Sequence, residues 1–243
     1  MKLEICHLYP DLLNLYGDRG NIICMKKRLE WRGIEAEITE LPLGSSADFS
    51  QFDLFFVGGG QDQERELLLG DLNLGKAKEI VSAVEDEKVF LAICGGYQMM
   101  GQYYKTYTGK QYDFIGALEL YTLGTEQRMV GNCIFECTAE SGGSTVVGFE
   151  NHSGKTYLGR GVSELGRIIT GFGNNGEDQT EGARYKNVFC SYSHGPLLPK
   201  NPQLADLILL AALQRKYPNA CLESLDDDFE TAAHTYMLER LKA

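Results

Sequence analysis

Two apolar runs that each end in glycines constrain the fold of this chain more than any other feature. The segments "FDLFFVGGG" (52–60) and "KVFLAICGG" (88–96) are almost entirely apolar up to their glycines. Such runs are typical of strands that are buried on both faces of a parallel sheet. Apolar residues at helical spacing lie between the two runs, within residues 62–87. This strand–helix–strand succession predicts an α/β fold with a mostly parallel central sheet flanked by helices.

The rest of the chain extends this pattern and then departs from it. The segments 3–9 and 34–41 alternate as strands do, and the spacing between them predicts a helix over 20–32. The second half contains short apolar segments between glycine-rich turns, which predict additional antiparallel strands; helices are predicted over 202–217 and about 224–241. No linker, repeat or charge block divides the sequence, so we expect a single domain over 1–243.

Composition narrows the possible functions. The net charge of −11 argues against a nucleic-acid-binding surface, which needs a basic stripe. No apolar stretch approaches membrane-spanning length, and the first residues lack the apolar core of a signal peptide. We therefore expect a cytoplasmic protein without membrane insertion. The seven cysteines form no C-x-x-C motif and the four histidines no H-x-H or H-x-x-x-H motif, so we expect neither a metal nor another cofactor.

Cys94 differs from the other cysteines in its surroundings. It ends a predicted buried strand and is followed directly by Gly95 and Gly96 at the start of a predicted helix. This strand–turn–helix arrangement is that of a nucleophile elbow, whose strained turn requires small neighbours. Gly60 ends the preceding buried run, and neighbouring strand ends lie close together. We therefore predict that Cys94 is a nucleophile and that the amides of Gly60 and Gly95 form its oxyanion hole. A buried structural cysteine is the alternative.

A thiol nucleophile normally needs a base. His194 ends the predicted strand in "NVFCSYSHGP", where Gly195 and Pro196 stop it, and is therefore the predicted base. His152 lies in a glycine-flanked loop and is both the alternative base and a candidate for lining the pocket. His7 falls within a predicted strand and His234 within a predicted helix. These positions favour structural roles for both histidines.

The order of these motifs resembles class I (triad-type) glutamine amidotransferases of the cobyric-acid-synthase-like subgroup. The segments 11–21, 147–156 and 193–202 are most similar to the glutaminase subunits of the enzymes that amidate lipid II. The resemblance implies one role for each matching residue: Cys94 as nucleophile, His194 as base, Gly60 and Gly95 as oxyanion amides, Gln98 as a contact to L-glutamine, and Arg128 as the partner of its α-carboxylate. His152 joins Gln98 and Arg128 as a substrate-binding candidate.

The resemblance also implies a reaction and a partner. L-glutamine is hydrolysed through a cysteine thioester, and the ammonia passes to a separate ATP-dependent, Mur-ligase-like subunit that amidates D-glutamate of lipid II. The chain itself contains no Walker motif. Three alternatives stay open: a glutaminase for cobyrinate-type amidation, a stand-alone hydrolase of γ-glutamyl compounds, and a non-catalytic binding subunit.

One position departs from the family pattern. Triad-type amidotransferases place an acid two residues after the histidine, but here that position is Pro196. The missing acid is expected from Glu150, from Glu181 or from the partner chain, and we favour the partner as a hypothesis. The loop "DLLNLYGDRGN" (11–21) is interpreted equally as a docking surface or as a plain strand-to-helix connection.

Overall fold

The computed structural model describes residues 1–60 and 65–242, so the first residues of the helix predicted over 62–87 lie outside the described part. Two sheets form the framework. The first has the order β11-β12-β4-β3-β1-β2, and all its neighbouring pairs are parallel except β11 with β12. The second has the order β10-β9-β7-β5-β6, with β8 paired to β7. The strands are β1 Lys2–Leu8, β2 Glu35–Leu41, β3 Leu54–Val57, β4 Val89–Ile93, β5 Tyr103–Lys105, β6 Gln111–Asp113, β7 Leu120–Cys137, β8 Thr145–Leu158, β9 Gly166–Thr170, β10 Thr180–Glu181, β11 Ala183–Tyr185 and β12 Val188–Ser191; the helices are α1 Arg19–Glu30, α2 Arg65–Asp71, α3 Ala77–Glu85, α4 Gly95–Met100, α5 Pro202–Lys216 and α6 Asp228–Lys242.

The centre of the first sheet is apolar on both faces, as the continuous runs predicted. Every residue of β3 and β4 is buried, and Phe55 stacks on Phe90 across the two strands with ring centroids 4.5 Å apart. The chain moves from β1 to β2 in one direction along the sheet and from β3 to β4 in the other. Because such crossovers are right-handed, α1 and α3 cover opposite faces. The reversal places a ligand-binding crevice at the carboxyl ends of β1 and β3.

The second sheet is built on a long antiparallel hairpin of β7 and β8. Several segments that the sequence predicted as separate short strands are merged here into two long ones. The register shifts between Gly124 and Met129, which pair with Gly154 and His152, so residues 125–128 face the single residue Ser153. This is a β-bulge, a feature that often re-aims a side chain beside an active site.

The helices agree with the sequence in position and differ at their ends. The segment after β3 is divided by one π-helical turn over Leu72–Lys76, where Gly75 has φ 134°. The helix after β4 ends at Met100, where Gly101 is extended, and β5 follows at Tyr103. α5 matches its prediction, whereas α6 begins at Asp228. None of the helices described here combines the length and the apolar character needed to cross a membrane.

Candidate active site

The turn between β4 and α4 has the geometry of a nucleophile elbow. Cys94 has φ 48° and ψ −101°, a backbone conformation that non-glycine residues rarely adopt. Its neighbours have no room for a side chain: a Cβ on Gly95 would lie 2.9 Å from the Gly60 nitrogen, and one on Gly96 would lie 2.7 Å from the Val57 oxygen. The two glycines that follow Cys94 are therefore required by close backbone packing.

The two predicted oxyanion amides lie beside each other. The same close approach between Gly95 and the Gly60 nitrogen brings the end of the β3 loop against the start of α4. Gly95 is the first residue of α4, where an amide has no carbonyl four residues earlier to bind. The arrangement can present both amides to a carbonyl oxygen attacked by Cys94, and their role stays a prediction.

His194 and Cys94 converge on one glycine. A Cβ on Gly59 would lie 2.5 Å from Cε1 of His194 and 3.4 Å from Cβ of Cys94. Both side chains are buried, and Nε2 of His194 has no hydrogen-bond partner among the described residues. The imidazole that lies beside the thiol is thus that of His194.

The carboxylate beside His194 is that of Asp18, which was not among the predicted site residues. Nδ1 of His194 lies 3.2 Å from each carboxylate oxygen of Asp18, and the Gly59 amide donates to Oδ2 of Asp18 at 2.7 Å. Asp18 is fully buried. A carboxylate on Nδ1 favours the tautomer that protonates this nitrogen and leaves Nε2 for the nucleophile.

Two of the expected sources of the missing acid, Glu150 and Glu181, were therefore wrong, while a contribution from the partner chain stays a prediction. Glu150 accepts hydrogen bonds from the amides of Phe172 and Gly173, and Glu181 accepts from Ser191 and the Tyr192 amide. Neither contacts His194, and no partner chain is needed to place a carboxylate on its Nδ1. The sequence feature that could have identified this acid is the position of Asp18 in the loop after β1. That loop reaches the site because β1 is the neighbour of β3.

The charges around His194 oppose the effect of burial on its pKa. Burial by itself lowers the pKa of His194, but a charged Cys94 sulfur and the Asp18 carboxylate together outweigh it and raise this pKa above its ordinary value of 6.5. The imidazole therefore keeps its proton at neutral pH when the sulfur is a thiolate. The pair is arranged to attack an electrophile with the sulfur and to protonate a leaving group with the imidazolium.

A cavity of about 360 Å³ opens beside the thiol, in the size range of small-molecule sites. It contains all the predicted site residues except His194. The residues that line it are Leu15, Tyr16, Gly60, Cys94, Gly95, Gln98, Tyr104, Arg128, Asn151, His152, Ser153 and Gly154.

Three of these residues were predicted to bind substrate, and their contacts differ. Arg128 ends the bulge in β7, and its Nε and Nη2 donate to Oδ1 of Asn151 at 3.0 and 2.6 Å. Gln98 donates to the Tyr192 hydroxyl at 3.0 Å. His152 stacks on Tyr192 with centroids 3.7 Å apart, and its Nδ1 bonds to a backbone carbonyl. His152 is thus a wall of the cavity, while Arg128 is exposed in it.

Residues 4–202 match the family model of the CobB/CobQ-like glutamine amidotransferase domain. The chain belongs to this family. The amidotransferase is 38% identical over 239 residues to the lipid II isoglutaminyl synthase (glutamine-hydrolyzing) subunit GatD of Staphylococcus aureus, covering 98% of this chain and 96% of that protein. It is 41% identical to the subunit of the same name from Streptococcus pneumoniae, covering 89% and 82% of the two chains.

More distant relatives agree with this assignment. A probable cobyric acid synthase of Methanothermobacter thermautotrophicus is 31% identical over 82% of this chain, which spans 40% of that protein's length. A solved glutamine amidotransferase superposes with a TM-score of 0.58 at 19% identity, covering 85% of this chain and 98% of that one. The likeness confirms the α/β amidotransferase fold. The protein is an enzyme of the glutamine amidotransferase class.

Proposed function

We propose that this amidotransferase hydrolyses L-glutamine at Cys94 and supplies the ammonia to a separate ATP-dependent subunit that amidates D-glutamate of lipid II to D-isoglutamine. The observation that carries the hydrolytic half is the buried arrangement of Cys94, His194 and Asp18 beside a cavity that contains an exposed arginine. The synthetic half rests on similarity to relatives that are named as subunits of lipid II isoglutaminyl synthase.

The chemistry follows from the positions of the groups. The Cys94 thiolate attacks the side-chain carboxamide carbon of L-glutamine, and the oxygen of the tetrahedral intermediate accepts from the amides of Gly60 and Gly95. The His194 imidazolium protonates the nitrogen, so the C–N bond breaks and ammonia leaves. A water molecule then attacks the thioester and gives a proton to His194. The C–S bond breaks and glutamate leaves, its new carboxyl group giving the second proton of the water to solvent, while the first proton remains on the imidazolium beside a restored thiolate.

Asp18 acts through His194 rather than on the substrate. Its carboxylate holds Nδ1 and thereby aims Nε2 at the sulfur. Arg128 is the group in the cavity suited to the α-carboxylate of glutamine, because a guanidinium binds carboxylates with two parallel hydrogen bonds. We place the reaction in the cytoplasm, with a Mur-ligase-like subunit as the consumer of ammonia.

The first experiment measures ammonia release from L-glutamine by the purified chain and by the chain purified from its host with its companions. Cys94→Ala and His194→Ala are assayed beside both samples. We expect release that depends on both residues, and ATP-dependent amidation of lipid II only in the sample with a Mur-ligase-like companion. Absence of Cys94-dependent ammonia from either sample would overturn the proposal and favour a non-catalytic binding subunit.

A second candidate is a hydrolase of γ-glutamyl compounds that works alone, and the position of Asp18 favours it because this chain supplies the full set of acid–base groups. Steady-state turnover of γ-glutamyl peptides distinguishes the two. Turnover faster than that of L-glutamine, with no effect of any companion, would select the stand-alone hydrolase. Cobyrinate-type amidation is tested by the ATP-dependent amidation assay, with cobyrinate in place of lipid II.

A further inference from the structure

Tyr16 occupies an unusual position at the mouth of the cavity. It lies in a single 3-10 turn over Leu15–Gly17 and has φ 54° and ψ 25°, the left-handed region that an aromatic residue rarely adopts. A residue in such a conformation costs about 1–3 kcal/mol and persists only where its surroundings hold it. The Tyr16 side chain has two sets of contacts that do so, one through its ring and one through its hydroxyl.

The Tyr16 ring covers the catalytic histidine. Its centroid lies 4.9 Å from that of His194 at an interplanar angle of 64°, and 6.0 Å from that of Phe149 at 62°. These are edge-to-face contacts, which aromatic rings favour. Tyr16 is itself 45% exposed whereas His194 is fully buried, so the tyrosine forms an outer layer of the site over the imidazole.

The Tyr16 hydroxyl is connected to the arginine of the cavity through Asn151. Oδ1 of Asn151 accepts from Nε and Nη2 of Arg128. Because a guanidinium only donates, the orientation of this amide is fixed. Its Nδ2 therefore faces the other way and donates to the Tyr16 hydroxyl at 2.5 Å. The Asn151 side chain thus connects Arg128, which is predicted to bind the carboxylate, to the tyrosine ring that covers His194.

We propose that Tyr16 and Asn151 form a latch that couples recognition of the substrate α-carboxylate to the positioning of His194. This inference rests on the proposed glutaminase function. A carboxylate on Arg128 orders the guanidinium, the guanidinium orders Asn151, and Asn151 holds Tyr16 against the imidazole. Tyr16 and Asn151 are positioning residues. The site therefore selects free amino acids with an α-carboxylate over amides that lack one.

The test compares two reagents that alkylate Cys94. The diazoketone analogue of L-glutamine has an α-carboxylate, whereas iodoacetamide has none. Tyr16→Phe keeps the ring and removes only the hydroxyl. We expect it to raise KM for L-glutamine and to slow alkylation by the diazoketone about 2- to 10-fold, the effect of one hydrogen bond. Alkylation by iodoacetamide should stay within about twofold of the wild type, since that reagent makes no use of the latch.

Two further variants separate the latch from general damage. In an Arg128→Ala background the added Tyr16→Phe change should have no further effect on KM, because the coupled contact is already lost. Tyr185→Phe is the matched control. The Tyr185 hydroxyl donates to Glu85 at 3.0 Å on the edge strand β11. Removal of this hydroxyl should leave the rate of alkylation by both reagents unchanged.

The outcomes distinguish the latch from the function on which it rests. If Tyr16→Phe slows both reagents equally, or slows neither, the latch is refuted while wild-type hydrolysis stands. Additive effects of Tyr16→Phe and Arg128→Ala on KM would also refute it. If the wild-type chain neither releases ammonia nor reacts with the diazoketone in any sample, the proposed glutaminase function itself has failed.

Discussion

Substitution of Asp18 by asparagine tests the proposed acid–base arrangement most directly. The change removes the negative charge with almost no change of shape. In the native site Oδ2 accepts from the Gly59 amide at 2.7 Å and from Nδ1 of His194 at 3.2 Å, and Oδ1 lies 3.2 Å from the same Nδ1. If the amide oxygen takes the Oδ2 position it keeps both bonds, but the amide NH₂ then faces the N–H of His194.

The magnitude follows from the loss of a charged acceptor. A hydrogen bond to a charged group contributes about 1.5–3 kcal/mol, which corresponds to about a 10- to 150-fold loss in kcat/KM for L-glutamine. Loss of the carboxylate also lowers the pKa of His194, because that charge helps to raise it. The imidazolium that protonates ammonia is then lost at lower pH, so the alkaline limb of the rate profile moves toward neutral pH.

The assay is initial-rate ammonia release by the full chain across the neutral and alkaline range, with limiting and saturating L-glutamine. Asp11→Asn is the control, because Asp11 is an exposed aspartate in the same loop. Full activity of the Asp18→Asn variant with an unshifted alkaline limb would refute the role of Asp18. It would also revive a carboxylate from a partner chain, which adding the co-purifying companion would then reveal.

Three further outcomes can be measured. Gly95→Ala should lower kcat for ammonia release by about 10²–10³, because its Cβ would lie 2.9 Å from the Gly60 nitrogen and displace an oxyanion amide; Gly131→Ala, which has no atom within 4 Å of the new Cβ, is the control, and equal rates would contradict the assignment. Arg128→Lys should raise KM for L-glutamine more than it lowers kcat, since a lysine cannot form the two parallel bonds of a guanidinium; an unchanged KM in the same assay would argue against α-carboxylate binding. Burial raises the pKa of Glu181 from 4.5 to about 7, so this carboxyl stabilises the fold less as pH rises through that interval. As pH rises through this interval, the unfolding free energy of Glu181→Gln should increase relative to that of the wild type by up to about 3 kcal/mol in denaturant titrations. A difference between the two proteins that does not depend on pH would contradict this.

The parts of the site that the sequence predicted are those that follow directly from strand ends. Cys94 and His194 each come after a buried strand, and β4 and β12 are neighbours in the sheet. Asp18 could not be found in this way, because it lies ten residues beyond the end of β1 and reaches the site only through the strand order. That order depends on contacts between distant parts of the chain rather than on local pattern.

The second sheet was predicted less well for a related reason. Gly124 was interpreted as a break between short strands, yet it lies inside β7, as does Gly131. Antiparallel pairing to β8 holds the strand through these glycines, and the bulge at 125–128 absorbs the irregularity. Arg128 was assigned through family resemblance alone, since its direction is set by a register shift that no local pattern reports.

The double use of the Asp18 carboxylate has a consequence for control of the enzyme. One oxygen faces both the imidazole and the Gly59 amide, which precedes the Gly60 amide of the predicted oxyanion hole. A displacement of the loop between β1 and α1 would therefore misalign the proton carrier and the oxyanion donors at the same moment. The rate of thioester formation would then fall through two losses rather than one.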